Sequence, residues 1–183
     1  LRYAPPLLLI LINLGLLGAS DKLGSNISFW QARLRTWHIR PVLDRGRLLL
    51  RTDFGYSGAD SLNVLGANFN QMPEYYEFRA GGVRSVRGYG WESLYPADAI
   101  TGGKHQLVGS IEYDHEIIPD WSAAVFLDAG NAFNRFDAID LKLGTGVGVR
   151  WRSPVGLARL DFGIALDDAD DPFQIYITVG PEF

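Results

Sequence analysis

The 183-residue sequence contains no cysteine, only three histidines and no run of basic residues. The absence of cysteine excludes disulfide scaffolds and thiolate metal sites, and His38, His105 and His115 are too scattered to predict a metal centre. A formal net charge of -4 gives no electrostatic support for nucleic-acid binding, because the arginines are spread along the chain. We therefore expect no nucleic-acid partner, no metal and no other cofactor.

The sequence also lacks an apolar run long enough for a transmembrane helix. Its most apolar stretch, residues 7–17, is shorter than the roughly 20 residues that a helical span needs. The run ends at the small residues Gly18-Ala19-Ser20, as a targeting segment does, but the basic region before it is only Arg2. From the residues alone, a targeting segment and a first β-strand both stay open.

Glycine and aromatic residues are abundant, at 21 residues and 13% of the chain, and the mean hydropathy is zero. This composition is typical of a β-rich chain with many turns. From residue 26 onward, apolar and polar residues alternate with the two-residue period of strands. The predicted strands cover residues 25–40, ended by Pro41, and then 47–56, 106–117, 121–130, 141–152, 159–166 and 173–183. With residues 7–17 they make about eight, near the 9 to 11 residues that cross a bilayer in a tilted barrel.

Alternation alone does not separate a soluble sandwich from a membrane barrel, since each has one apolar face. Three features favour the barrel: tight turns at one end with longer loops at the other, aromatic residues at strand ends, and glycines on the polar faces, which leave room inside. The aromatic residues are Tyr56, Trp121, Trp151, Phe173 and Phe183, and the glycines are Gly144, Gly146, Gly148 and Gly163. We predict an all-β fold of antiparallel transmembrane β-barrel strands, with the polar face lining a lumen.

A glycine- and arginine-rich segment, residues 78–91, lies in a long loop that we place at residues 57–104. Its glycines permit sharp turns, and its arginines can pair with acidic groups. By alternation, Glu112 and Asp128 both point to the polar face of adjacent strands. The fork-shaped guanidinium of Arg87 is able to pair with both carboxylates.

Three motifs resemble those of the BamA/TamA-type outer-membrane assembly and translocation barrels, the bacterial surface antigen family. Val86-Arg87-Gly88-Tyr89 is similar to the VRG(F/Y) signature, Gly109-Ser110-Ile111-Glu112 to the GxxE element, and Phe126-Leu127-Asp128-Ala129-Gly130 to the FxDxG element. Residues 144–156 and the ending Gly180-Pro181-Glu182-Phe183 resemble the TamA branch most. The likeness runs from about residue 25 to the last residue.

The resemblance implies one barrel region over residues 1–183, matching the C-terminal half of a sixteen-stranded barrel, with no POTRA domain. It favours a strand for residues 7–17 and a loop 57–104 folded into the lumen. A larger barrel and a short closed one both stay open, although an eight-stranded barrel has little room for such a loop.

The site residues that the resemblance implies fall into three groups. The loop-lock motif is Val86, Arg87, Gly88 and Tyr89; its lumenal partners are Gly109, Glu112, Phe126, Asp128 and Gly130; and the C-terminal recognition signal includes Gly180 and Phe183.

The implied function is that of a non-enzymatic factor in the bacterial outer membrane that inserts or secretes client proteins. Its implied partners are outer-membrane lipid, client outer-membrane or secreted proteins, and a periplasm-spanning accessory protein. Two alternatives stay open: a passive barrel anchor or pore for a passenger domain such as a patatin-like lipase, and a soluble β protein that hydrolyses a substrate with Glu112 and Asp128.

Overall fold

The computed structural model describes residues 8–25, 27–64, 67–70, 72–170 and 173–180. The strands are β1 Leu9–Ala19, β2 Phe29–Val42, β3 Gly46–Gly58, β4 Ser61–Val64, β5 Ala67–Asn70, β6 His105–Ile118, β7 Trp121–Phe133, β8 Lys142–Ser153, β9 Gly156–Ala165 and β10 Phe173–Gly180. Three short 3₁₀ turns lie at Asp21–Leu23, Glu74–Tyr76 and Phe136–Ala138. Within the described ranges, no helix has the length and apolar character to cross a bilayer.

Eight of the strands form one antiparallel sheet in the order β1-β2-β3-β6-β7-β8-β9-β10, and β4 and β5 form a separate hairpin. The predicted all-β class and the number of sheet strands are confirmed. The first apolar run is a strand, because β1 pairs with β2 along its whole length, from Leu9 opposite Ile39 to Ala19 opposite Phe29. Residue 7 of the predicted run lies outside the described residues.

Two predicted boundaries differ from the structure. Pro41 does not end its strand: β2 continues to Val42, with Pro41 opposite Arg47. Pro41 lies past the last described pair with β1, where the missing N–H is not needed for that ladder. The segment between β3 and β6 begins after Gly58, and it contains the β4–β5 hairpin, whose four-residue strands are too short to stand out in the sequence.

The sheet turns its apolar side chains outward. On the outer face Leu127 is 48% and Val147 55% exposed, whereas Asp128 on the inner face is fully buried. Aromatic pairs lie near both ends of the strands, with Trp121 stacked on Trp151 at a centroid distance of 5.6 Å. A broad apolar face between aromatic ends suits a bilayer.

The connections differ in length between the two ends of the sheet. Tight turns at residues 43–45, 119–120 and 154–155 lie at one end, and the longer connections, including residues 59–104, lie at the other. The long connection packs against the inner face of the sheet. Among the described residues β1 and β10 pair only with β2 and β9, so the sheet is open and not a short closed barrel. An eight-stranded barrel would have no room for this loop.

Candidate functional site

The loop turns sharply before it reaches the inner face of the sheet. Gly81 and Gly82 have φ angles of 101° and 94°, which side-chain-bearing residues rarely adopt. The turn is closed by the Ser85 N–H, which donates to the Gly82 carbonyl at 3.0 Å, and by the Gly82 N–H, which donates to the Val86 carbonyl at 3.1 Å. The turn directs Arg87 towards β6 and β7.

Arg87 and Asp128 make the central contact between the loop and the sheet. The guanidinium donates from Nε to Asp128 Oδ2 at 2.7 Å and from Nη2 to Oδ1 at 3.0 Å, a bidentate pair. The Arg87 backbone N–H also donates to Asp128 Oδ2, at 3.0 Å. Arg87 is 4% exposed and Asp128 0% exposed, so both groups are dry.

Neighbouring side chains complete the environment of the Arg87 guanidinium. Its Nη1 donates to Glu112 Oε2 at 2.5 Å, and its Nη2 donates to Ser110 Oγ at 3.3 Å. Ser110 in turn donates to Asp128 Oδ1 at 2.5 Å. The Phe126 ring covers the guanidinium face, 3.4 Å from Cζ to the centroid, which is a cation–π contact.

Arg87 remains charged in this buried position. Burial disfavours the charged form, but the hydrogen bond and charge of Asp128, together with the charges of Glu112 and Asp161, outweigh burial and raise the pKa of Arg87. The carboxylates of Glu112 and Asp128 both accept hydrogen bonds from buried arginine side chains. This arrangement gives no support to a pair of carboxylates acting as hydrolase acid and base.

Arg150 and Asp161 belong to the same cluster, although sequence reasoning did not select them. Arg150, 1% exposed, donates from Nη2 to Glu112 Oε1 at 2.8 Å, and its Nη1 lies 2.7 Å from Asp161 Oδ1. Asp161 Oδ2 lies 3.7 Å from Arg87 Nη1. The alternation had already assigned Arg150 and Asp161 to the polar face, and that was the signal available in the sequence.

Glycines on the inner face let the loop backbone reach the sheet backbone. A Cβ built at Gly163 would lie 2.6 Å from the Gly88 nitrogen, and one at Gly144 would collide with the Arg87 carbonyl oxygen. Gly88 itself has a φ of 101° and packs against the backbone of Ile164 and Ala165. The room predicted from the polar-face glycines is occupied by the loop.

Two tyrosines join the loop to the later strands. Tyr89 donates its hydroxyl to the Leu143 carbonyl at 3.1 Å and accepts from the Asp167 N–H at 3.3 Å. Tyr176 of β10 accepts from the Gly88 N–H at 3.0 Å and donates to the Tyr89 carbonyl at 2.7 Å. The four-residue motif thus contacts every strand from β6 to β10.

The remaining predicted site residues occupy varied positions. Val86, the first residue of the motif, is fully buried in an apolar cluster together with Val108 and Ala165. Gly130 is on the inner face, where an added Cβ would meet Val108, but Gly109 is not a lumenal neighbour of Arg87, because it lies on the outer face with open space beyond it. Gly180 ends β10, and Phe183 lies outside the described residues.

Comparison with known proteins identifies the family. The Omp85 superfamily domain model matches residues 11–183, nearly the whole chain. The chain belongs to the Omp85 superfamily. This Omp85 chain is 32% identical over 123 residues to the outer membrane protein assembly factor BamA of Nitratidesulfovibrio vulgaris, covering 61% of this chain and 15% of that protein. It is 29% identical over 110 residues to the chloroplastic outer envelope protein 39 of Arabidopsis thaliana, covering 54% and 29% of the two chains.

A solved structure supports the fold. The crystal structure of BamA from Haemophilus ducreyi lacking POTRA domains 1-3 superposes with a TM-score of 0.63 and 17% identity, over 81% of this chain and 34% of that one. The Omp85 chain thus spans about a third or less of the length of each of these relatives. The predicted barrel family and outer-membrane location are confirmed, while the closer kinship with the TamA branch stays a prediction.

Proposed function

We propose that this Omp85 chain forms part of the barrel of an outer-membrane assembly or translocation factor, in which Arg87 locks an inward loop to the lumen wall. Its clients are outer-membrane or secreted polypeptides, and its activity makes and breaks no covalent bond. The relationship to an assembly factor of the outer membrane supports this class of function.

The observation that carries the proposal is the dry bidentate pair between Arg87 and Asp128. A loop with no role inside the barrel would not need a buried guanidinium, because burying two charges is costly unless each is fully paired. Here Asp128 accepts four hydrogen bonds, from the Arg87 backbone, from two guanidinium nitrogens and from Ser110. The loop is therefore held by a specific contact rather than by general packing.

The outer edge of β10 supports the way in which a client would be engaged. Among the described residues, β10 pairs only with β9. Unpaired N–H and C=O groups are strongly disfavoured in lipid, so such an edge favours addition of another strand by backbone pairing. A client strand that adds at the seam between the first and last strands would satisfy these groups.

The test replaces Arg87 with alanine in the intact protein and measures insertion of a labelled β-barrel client into lipid vesicles. The change leaves Asp128 and part of Glu112 buried without their cation, which disfavours the docked loop by about 3 to 5 kcal/mol. We expect the variant to reach the membrane and client insertion to fall roughly tenfold or more, because only the docked population is competent.

Arg84→Ala is the matched control, since Arg84 is an exposed arginine three residues earlier in the same loop. The control is expected to retain full insertion activity. Normal insertion by Arg87→Ala would contradict the lock and would favour the alternative of a passive anchor for a passenger domain.

A further inference from the structure

The last strand of the sheet is tied to the loop through one phenol. Tyr176 lies at the fourth of the eight residues of β10, on the inner face, with its hydroxyl between the backbones of Gly88 and Tyr89. It accepts one hydrogen bond and donates another, at 3.0 and 2.7 Å. Both partners are main-chain groups of the residues that directly follow Arg87.

This position is unusual because β10 is an edge strand. Along Phe173–Gly180 its pairing partner among the described residues is β9, and its outer-face side chains are exposed, with Ile177 at 77%. An edge strand held from one side opens more readily than a central strand, because fewer interactions must be lost. Two hydrogen bonds to a docked loop therefore add to the restraint on the middle of this edge.

We infer that Tyr176 is a positioning residue that couples the Arg87 lock to the free edge of β10. The inference rests on the proposed function and deepens it, by naming the group through which the state of the loop reaches the seam. When Arg87 leaves Asp128, Gly88 and Tyr89 leave with it because they are its chain neighbours. Tyr176 then loses both partners, and β10 is held by β9 among the described strands, so the docked loop is what keeps this edge ordered for pairing with a client strand.

Tyr176→Phe removes the hydroxyl and keeps the ring, so it separates coupling from packing. The measurement is amide hydrogen exchange of the intact protein in lipid, read at the β10 amides that bond to β9. We expect exchange in β10 to become roughly fivefold faster or more, as the loss of two hydrogen bonds implies, with little change at the amides of Ser85 and Arg87, whose acceptors Gly82 and Asp128 remain. Thr178→Val is the matched control, because it removes another hydroxyl from the inner face of the same strand, and it should leave exchange unchanged.

A double-variant comparison gives the readout that a purely structural role would not alter. Arg87→Ala alone is expected to speed exchange in β10 by about the same factor as Tyr176→Phe, since both remove the tie, and combining the two changes is expected to add little more. Replacing Tyr176 with 4-aminophenylalanine keeps a donor for the Tyr89 carbonyl but offers the Gly88 N–H only a weak acceptor, so it should restore part of the slow exchange. This residue also shows whether a defect in Tyr176→Phe arises from misfolding.

Two results would overturn the inference: exchange in β10 of Tyr176→Phe that matches the Thr178→Val control, or full additivity of Tyr176→Phe and Arg87→Ala. Neither result touches the proposed function, which depends on client insertion by Arg87→Ala. Conversely, unchanged insertion by Arg87→Ala with faster exchange in both variants would refute the proposed function and leave the coupling intact.

Discussion

At the scale of single residues, the lock belongs to a dry cluster of charges rather than to one ion pair. Among the described residues the cluster joins four carboxylates and three arginines, and each of these side chains is at most 12% exposed. They are Glu112, Asp114, Asp128 and Asp161 with Arg47, Arg87 and Arg150. A buried cluster tolerates the loss of a charge poorly, because the partner keeps its desolvation cost without its compensation.

Arg150→Gln tests this view of the cluster. The change leaves Asp161 and one oxygen of Glu112 without their nearest cation, so we expect the free energy of unfolding from lipid to fall by about 3 to 5 kcal/mol. The double variant Arg150→Gln with Asp161→Asn removes one charge of each sign and should recover part of that loss. Urea titration of the folded barrel measures both, and equal losses in the single and double variants would show that charge balance is not what matters.

The sequence predicted Arg87, Glu112 and Asp128 as neighbours but missed Arg150, Asp161 and Tyr176. The first three belong to recognisable motifs, and alternation alone set the facing of the two carboxylates. The others are separated in sequence by strands whose relative register decides which inner-face residues meet. Arg150 reaches Glu112 across the intervening β7, and nothing local in the sequence indicates that step.

At the scale of elements, the contact between loop and sheet depends on glycines in the strands. Gly144 and Gly163 lie on the inner faces of β8 and β9, where the loop backbone at Arg87 and Gly88 fills the space that side chains would occupy. Glycine usually weakens a strand, so its use here is explained by close approach of another backbone. The glycines by themselves indicated only that space was left, and the family resemblance implied that the loop lies in it.

Gly163→Ala is predicted to undock the loop while the strands stay paired. The new Cβ would lie 2.6 Å from the Gly88 nitrogen, a distance that backbone atoms cannot tolerate, so the loop must move. We expect a cysteine introduced at Val86, which is fully buried in the docked loop, to react with a maleimide faster in this variant, and no other cysteine reacts because the chain has none. Gly109→Ala is the control, since its Cβ would point into open space on the outer face, and equal labelling rates in the two variants would contradict the expectation.

Most strands were predictable because one face is apolar and the other polar over most of the strand, whereas β1 is apolar on both faces and was identified through the family resemblance. The boundaries were less so: β2 continues through Pro41, and β4 and β5 lie in a stretch rich in serine, asparagine and alanine, where strand-forming residues are few. Each strand of this hairpin has four residues, fewer than is usual, so its alternation is a weak signal.

At the scale of the whole molecule, charged side chains lie on the inner face of the sheet and apolar side chains lie on its outer face. Val147 is 55% exposed at the middle of β8, opposite Val125 and Phe162, while Arg150 on the same strand is buried. In water such an arrangement would expose a broad apolar surface, whereas a bilayer covers it. This inverted pattern is the property of the molecule that alternation plus aromatic strand ends predicted best.

Val147→Arg measures the position of the sheet in the bilayer. An arginine on the lipid face near the midplane is expected to destabilise the folded state by about 2 to 4 kcal/mol, read from urea unfolding in lipid vesicles. Val155→Arg is the control, because Val155 is 86% exposed in a tight turn at the end of the strands, where the change should cost little. Similar losses at both positions would argue against a membrane-facing β8.

The meeting of two backbones at Gly144 and Gly163 has a consequence for how the loop moves. At these points the loop backbone contacts the sheet backbone directly, with no flexible side chain between them that could adjust to an intermediate position. The bidentate pair also requires the Arg87 guanidinium to stay close to one position relative to Asp128. Detachment is then an all-or-none event, with each molecule either seated or fully released. The distribution of distances between a label on the loop and a label on the sheet should show two separate peaks. Their relative heights should change with conditions, while their positions should not.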